Sequence, residues 1–236
     1  MHKIILTVIL LYDKTNFSQH IFLREVKMEI ELKYILKEQM VKERLFMDSH
    51  IREIKNADTE KTINMHAIYY DTPHGDFSKK KMALRARFEN ERIIATLKWK
   101  GQSEGGLHVR GELNVPVNRE YLNKPNVDIF KGSEIFDSIS SCIGDKPLVK
   151  IMEMDYVRRE VQVDTGKSIS VISYDEGTII TEKGNCPISE IEIELYSGDQ
   201  QDMMRLGKEL EIKYNLLPSD ISKFQKGMEL INEKNQ

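Results

Sequence analysis

Two segments of this chain alternate charge and hydrocarbon with a period of two, and that spacing leaves little choice of secondary structure. In MEIELKYIL (Met28–Leu36), an extended strand puts Glu29, Glu31 and Lys33 on one face and Ile30, Leu32 and Tyr34 on the other. In SEIEIEL, Glu190, Glu192 and Glu194 oppose Ile191, Ile193 and Leu195. The runs between them repeat the pattern with bases. Arg85 and Arg87 share a face in MALRARFE, Thr96, Lys98 and Lys100 in RIIATLKWK, and Arg110, Glu112 and Asn114 in LHVRGELNVPV. Arg158 lies within a further β-rich run and Asp175 is expected to end another.

Strands are predicted over 28–36, 65–72, 82–89, 92–100, 107–117, 154–163, 168–175, 178–183 and 188–195. The short turn-like segments between them, such as PHGD, NE, GQSEGG, DTGK and DEG, imply antiparallel pairing. Helical patterns are predicted over 37–56, where Met40, Leu45, Ile51 and Ile54 stand among charges, and over 127–143, 200–214 and 219–232, the last with Ser219 as N-cap. MEIELKYILKEQMVKERL and SEIEIELYSGDQQDMMRL both run from a carboxylate-rich strand into a helix, a faint internal echo.

A solvated outer face would mix the signs of its charges. Here acids gather on the first and last strands and bases on those between. The ordinary arrangement is a small barrel filled by its apolar faces. The inverse arrangement turns the charged faces inward around a hydrated bore and covers the apolar faces with helices. Unpaired buried charges cost several kcal/mol each, so such a bore requires a charged occupant. Glutamates in this number suit hard divalent cations, and arginine forks match phosphate oxygens. Bases, a metal and a narrow site together point to a polyphosphate.

With 236 residues and a formal charge of −3, the chain has the size of one domain, here 28–236, and no overall basic field to recruit nucleic acid. Cys142 and Cys186 lack metal-ligand spacing and fit a reducing, cytoplasmic setting. IILTVILL (Ile4–Leu11) is too short for a membrane span and lacks a following cleavage site, so residues 1–27 are expected to be an upstream extension or disordered leader. No membrane partner is expected, and the oligomeric state is unreadable. The histidines, His2, His20, His50, His66, His74 and His108, show no clustered-ligand spacing and read as surface or packing residues. Trp99 alternates away from Lys98 and reads as outer-face packing. No Walker A loop or dinucleotide glycine fingerprint is present, so any phosphate site must be made of side chains.

EIELKY, YYDTP, LRAR, TLKWKG, GGLHVRGELNVPV and PISEIEIELYSGD, in this order, resemble the CYTH superfamily, the triphosphate tunnel metalloenzymes. GGLH-x-R and the Ser222–Lys223 pair are most similar to the bacterial inorganic triphosphatases. The resemblance implies an α+β fold, a closed eight-stranded antiparallel β-barrel with a charged interior flanked by helices. It also implies hydrolysis of a linear triphosphate with Mg²⁺ or Mn²⁺. By position it makes Glu29, Glu31, Glu112, Asp175, Glu190, Glu192 and Glu194 the metal-binding acids. Lys33, Arg85, Arg87, Lys98, Arg110, Arg158 and Lys223 become the substrate-binding bases, with Glu31, Lys33 and Arg87 nearest the chemistry. Only two of the three late glutamates need be direct ligands, and Asn114 departs from the carboxylate many members carry. Arg158 and Arg159 are adjacent, and the match selects Arg158 as the inward one. The same resemblance admits a class IV adenylyl cyclase, a thiamine triphosphatase, or a polyphosphate-binding module without turnover.

Overall fold

The computed structural model of the chain describes residues 25–37, 41–89 and 91–233. The leader expected over 1–27 falls outside these residues up to position 24, as do Met40 and Asn90. The elements follow as β1 (Glu25–Ile35), α1 (Val41–Phe46), α2 (Ser49–Ile54), β2 (Lys61–Asp71), α3 (Asp76–Lys79), β3 (Ala83–Glu89), β4 (Arg92–Glu104) and β5 (Leu107–Val117). Then come α4 (Phe136–Ile143), β6 (Val149–Asp164), β7 (Ser168–Thr181), β8 (Gly184–Gly198), α5 (Gln200–Tyr214), β9 (Leu217–Pro218) and α6 (Lys223–Asn232).

The sheet order is β5-β4-β3-β2-β6-β7-β8-β1, and β1 pairs again with β5. That last pairing closes an eight-stranded, wholly antiparallel barrel. The two-residue β9 adds to β1 at Tyr34 and Ile35. Closure removes the free edges that an open sheet would expose.

The apolar faces point outward, as the inverse arrangement requires. On one side Leu32, Tyr34, Val161, Ile172, Ile191 and Ile193 pack under Leu45, Ile51, Met203, Leu206 and Leu210 of α1, α2 and α5. On the other, Leu84, Ile93, Leu97, Trp99 and Leu113 pack under Phe77 of α3, Phe130, and Ile139 and Ile143 of α4. Trp99 is therefore an outer packing residue.

A third cluster was not expected, because it lies on the inward faces. Met65, Ala67 and Tyr69 of β2, Met152, Met154 and Tyr156 of β6, Ile179 and Ile188 meet Phe224, Met228 and Ile231 of α6. One stretch of the bore is thus apolar and filled by the last helix. Gly227 permits the close seat, since a Cβ there would lie 2.5 Å from Met152 Sδ.

Several local expectations change. The helix expected over 37–56 divides where the Asp48 carboxylate accepts the N–H groups of His50 and Ile51 at 2.8 and 3.2 Å, capping α2. The helix expected over 127–143 begins only at Phe136, after a short turn at Asp128–Phe130 and Gly132 at φ +85°. The DEG segment is no turn. β7 runs through it, and Gly177 lets β6 approach, because a Cβ there would meet the Asp155 carbonyl at 2.1 Å. Asp175 accordingly sits within a strand. The final helix starts at Lys223, since the capping residue is Ser222: its Oγ accepts from Gln225 N–H at 3.2 Å while Gln225 Oε1 accepts from Ser222 N–H at 2.8 Å.

Candidate active site in the barrel bore

Inward-facing side chains surround a cavity of about 1620 Å³ whose lining includes Glu29, Glu31, Lys33, Arg85, Arg87, Lys98, Arg110, Glu112, Arg158, Glu192, Glu194 and Lys223. Strand pairing brings together residues far apart in the chain. Arg85 stands opposite Tyr69 and Thr96, Lys98 opposite Glu112, Arg110 opposite Glu29, Lys33 opposite Glu192, and Asp175 between Arg158 and Glu190. Arg158 turns inward, whereas Arg159 turns outward to Glu43 and Glu60 and lies over the Phe46 ring. Lys100 leaves the common face at a bulge after Trp99; its φ is +54° and its side chain is exposed.

The charges form two linked networks. In the first, Lys98 Nζ donates to Glu29 at 2.6 Å and lies 2.8 Å from Glu112. Arg110 Nε donates to Glu29 at 2.6 Å and its Nη2 to Glu31 at 2.8 Å. Asn114 donates to Glu112 at 2.7 Å and accepts from Thr96 at 2.7 Å. In the second, Arg158 grips Asp175 through two 2.7 Å bonds and reaches Glu192 at 2.6 Å. Lys223 Nζ sits 2.7 Å from Asp175 and 2.9 Å from Glu192, and also contacts Glu190. Lys33 joins the networks, 3.0 Å from Glu190, in contact with Glu192, and 3.7 Å from Glu31.

Burial alone would raise the acids' pKa values, but neighbouring bases win. Lys98 and Arg110 hold Glu29 well below the usual range, and Lys98 brings Glu112 to about 2. Lys223 and Lys33 bring Glu190 to about 2 and, with Arg158, hold Glu192 well below its ordinary value. Burial pushes Lys33 and Lys223 toward neutrality, and the surrounding carboxylates overcome it, raising both. Glu194 differs: burial prevails and its pKa rises despite Lys27 at 2.7 Å.

Asp175, Glu190 and Glu192 offer carboxylate oxygens within 4.8 Å of one another, all buried. Hard oxygen donors in an acidic cluster are the set suited to a hard divalent cation, and Lys223 already supplies positive charge to the same oxygens. Glu29, Glu31, Glu112 and Glu194 line the bore outside this triad. Two bases are not consumed by acids in the same way. Arg85 makes no ion pair among the described residues, and Arg87 meets only Glu89. The Nε atoms of both are buried without a hydrogen-bond partner.

Sequence reasoning missed three groups. Lys27 continues the alternation of Glu29, Glu31 and Lys33, and was lost by starting the strand at Met28 instead of Glu25. Lys226, one turn after Lys223, donates to Glu190 at 2.9 Å. His108 shares the inward face with Arg110, is buried, and has its pKa lowered by that burial.

Comparison with known proteins agrees with the barrel fold. The chain is 33% identical over 159 residues to the inorganic triphosphatase of Haemophilus influenzae, a match covering 67% of this chain and 44% of that relative. The chain thus spans less than half of the curated relative. Among solved structures, a Hippeastrum protein described as a candidate adenylyl cyclase with dominant triphosphatase activity superposes with a TM-score of 0.65 at 20% identity, covering 85% of this chain and 95% of that one. A candidate adenylate cyclase from Bacillus halodurans gives 0.56 at 19% identity, covering 85% and 97%. These two likenesses concern the fold. The CYTH domain model matches residues 27–228, from the first inward lysine to the last helix, and the chain belongs to the CYTH domain family.

Proposed function

We propose that this protein hydrolyses inorganic triphosphate to diphosphate and phosphate inside the bore, with Mg²⁺ or Mn²⁺ as cofactor. The observation that carries this reading is the pair of buried, unpartnered guanidinium Nε atoms on Arg85 and Arg87, in a wall where Lys33, Lys98, Arg110, Arg158 and Lys223 pair with acids. A buried donor without an acceptor costs about 1–3 kcal/mol, and phosphate oxygens would satisfy these two. The curated Haemophilus relative, an inorganic triphosphatase, supports the same substrate.

Arg85 and Arg87 hold the phosphates that are not transferred, with Lys98 and Arg110 beside them. Lys33, Arg158 and Lys223 exchange part of their contact with carboxylates for contact with the terminal phosphoryl group, stabilising charge that develops there. Preorganised donors of this kind are worth about 3 kcal/mol each in a site that excludes bulk water. Asp175, Glu190 and Glu192 would hold the divalent ion, with Glu31 adjacent through Lys33. The ion, when bound, neutralises phosphate charge and activates water. The pathway is in-line attack of water on the terminal phosphorus, with diphosphate leaving.

A phosphate-release assay across tripolyphosphate, ATP and thiamine triphosphate, with cyclic AMP measured in parallel and Mg²⁺ or Mn²⁺ supplied separately, tests the reading. Tripolyphosphate should be the best substrate and chelation should stop turnover. Production of cyclic AMP from ATP, or binding of tripolyphosphate without phosphate release, would contradict it.

A further inference from the structure

Lys223 enters the acidic cluster from the first turn of α6, so its position depends on the connector Ser219–Ser222. That connector is tied to β1 and to the β4–β5 hairpin. Ser219 N–H donates to the Lys33 carbonyl at 3.0 Å, and Lys33 N–H donates to the Gly106 carbonyl at 2.8 Å. Gly106 N–H donates to Asp220 Oδ1 at 2.7 Å, and Ser103 Oγ donates to the Asp220 carbonyl at 3.1 Å. Gly106 has φ +84°, and a Cβ there would lie 2.9 Å from the Lys33 carbonyl oxygen, so the hairpin can approach this closely only with glycine.

His108 completes the tie. Its Nε2 lies 2.8 Å from the Ser219 carbonyl. A carbonyl only accepts, so Nε2 carries the hydrogen. The ring is buried on the bore face of β5, opposite Glu31 in the β1–β5 register and two residues from Arg110. It stands on a wall of acids and bases, yet its hydrogen bond goes to the backbone that introduces α6. Lys98, Arg110 and Arg158 reach carboxylates across the bore, whereas His108 reaches the connector.

We propose that His108 is a positioning residue that fixes the α6 connector so that Lys223 reaches Asp175, Glu190 and Glu192, and that His108 and Lys223 act as one unit. The inference rests on the reading of the bore as a triphosphate site, where Lys223 meets the substrate.

A double-mutant cycle tests it with tripolyphosphate as substrate. H108L should lower kcat about three- to tenfold, the worth of one hydrogen bond, while KM changes less. H108Q, whose amide nitrogen can donate to the same carbonyl, should return kcat to within about twofold of wild type. H108L combined with K223A should be no worse than K223A alone, as expected of coupled residues. Multiplying losses would overturn the proposal. D220A, on the exposed side of the same tie, guards against a misfolded H108L and should show the same non-additivity. Hydrogen exchange gives a readout independent of turnover: the amides of residues 219–226 should exchange faster in H108L and not in H108Q, and unchanged exchange in H108L would refute the clamp. If wild type does not cleave tripolyphosphate, the substrate reading falls, and the exchange result alone decides the clamp.

Discussion

The outer coat and the bore are built on opposite faces of the same strands, and adjacent residues live in opposite environments. Glu31 faces Arg110 in the bore while Leu32 packs under α5; Glu192 meets Lys33, Arg158 and Lys223 while Ile193 lies in the outer core. The coat releases apolar surface from water and holds the barrel closed. The bore gathers charges that a folding argument alone would not assemble, since buried ion pairs are weak sources of stability. The difference teaches that stability and ligand recognition are separated here by one residue's step along a strand. Substitutions in the two regions should therefore have separable effects.

The largest expected effect is on turnover. Replacing Glu192 with Gln should lower phosphate release by on the order of 10²–10³-fold. The fold should survive, because each cation keeps another acid: Lys33 has Glu190, Lys223 has Asp175, and Arg158 has Asp175. Circular dichroism and phosphate release on the same sample check both halves. Leu210→Ala, in the coat, should do the reverse. Truncating a buried leucine costs about 2–5 kcal/mol, so the denaturant midpoint should fall while kcat at low temperature is retained.

Gly227→Ala sharpens the comparison where the regions meet. The added methyl would press on Met152 Sδ and lift α6, costing about 1–3 kcal/mol and raising KM together with it. The smallest effect concerns pH. Glu112 and Glu190 in the bore, and Asp48 at the α2 cap, are lowered to about 2 by basic and hydrogen-bonding partners that overcome burial. A depressed carboxyl contributes stability fully above its unfolded pKa of about 4.5 or 3.8, and loses it as pH falls toward 2. Unfolding midpoints should thus decline below about pH 5. Asp48→Asn, which keeps a cap acceptor, should remove part of that decline without altering turnover.

The strands and their charged rows were legible because period-two alternation is local and repeats in many strands, the inward direction rested on the segregation of charge sign, and the closed barrel on the family resemblance. Elements that depend on distant packing were less so. Gly177 reads as a turn residue until β6 is seen against it, and Ser222 outcompetes Ser219 as a cap only through Gln225. The apolar stretch of the bore was hidden because Met65, Tyr69, Met152 and Tyr156 resemble ordinary core residues, and only α6 explains what covers them. Of the candidate site, residues in alternating rows could be grouped by face. His108 falls in the Arg110 row by the same spacing, but its role was not legible, since its partner is a backbone carbonyl more than a hundred positions away.

Arg85 tests the central claim most directly, because its half-buried side chain keeps a buried Nε without a hydrogen-bond partner and no acid pairs with it among the described residues. The measurement is calorimetric titration of tripolyphosphate, with Mg²⁺ present, into wild type and Arg85→Met, alongside the unfolding midpoint of each. The account predicts that the variant binds at least about tenfold more weakly while unfolding at the same temperature or higher. Equal affinity, or a variant that loses stability without losing affinity, would contradict it.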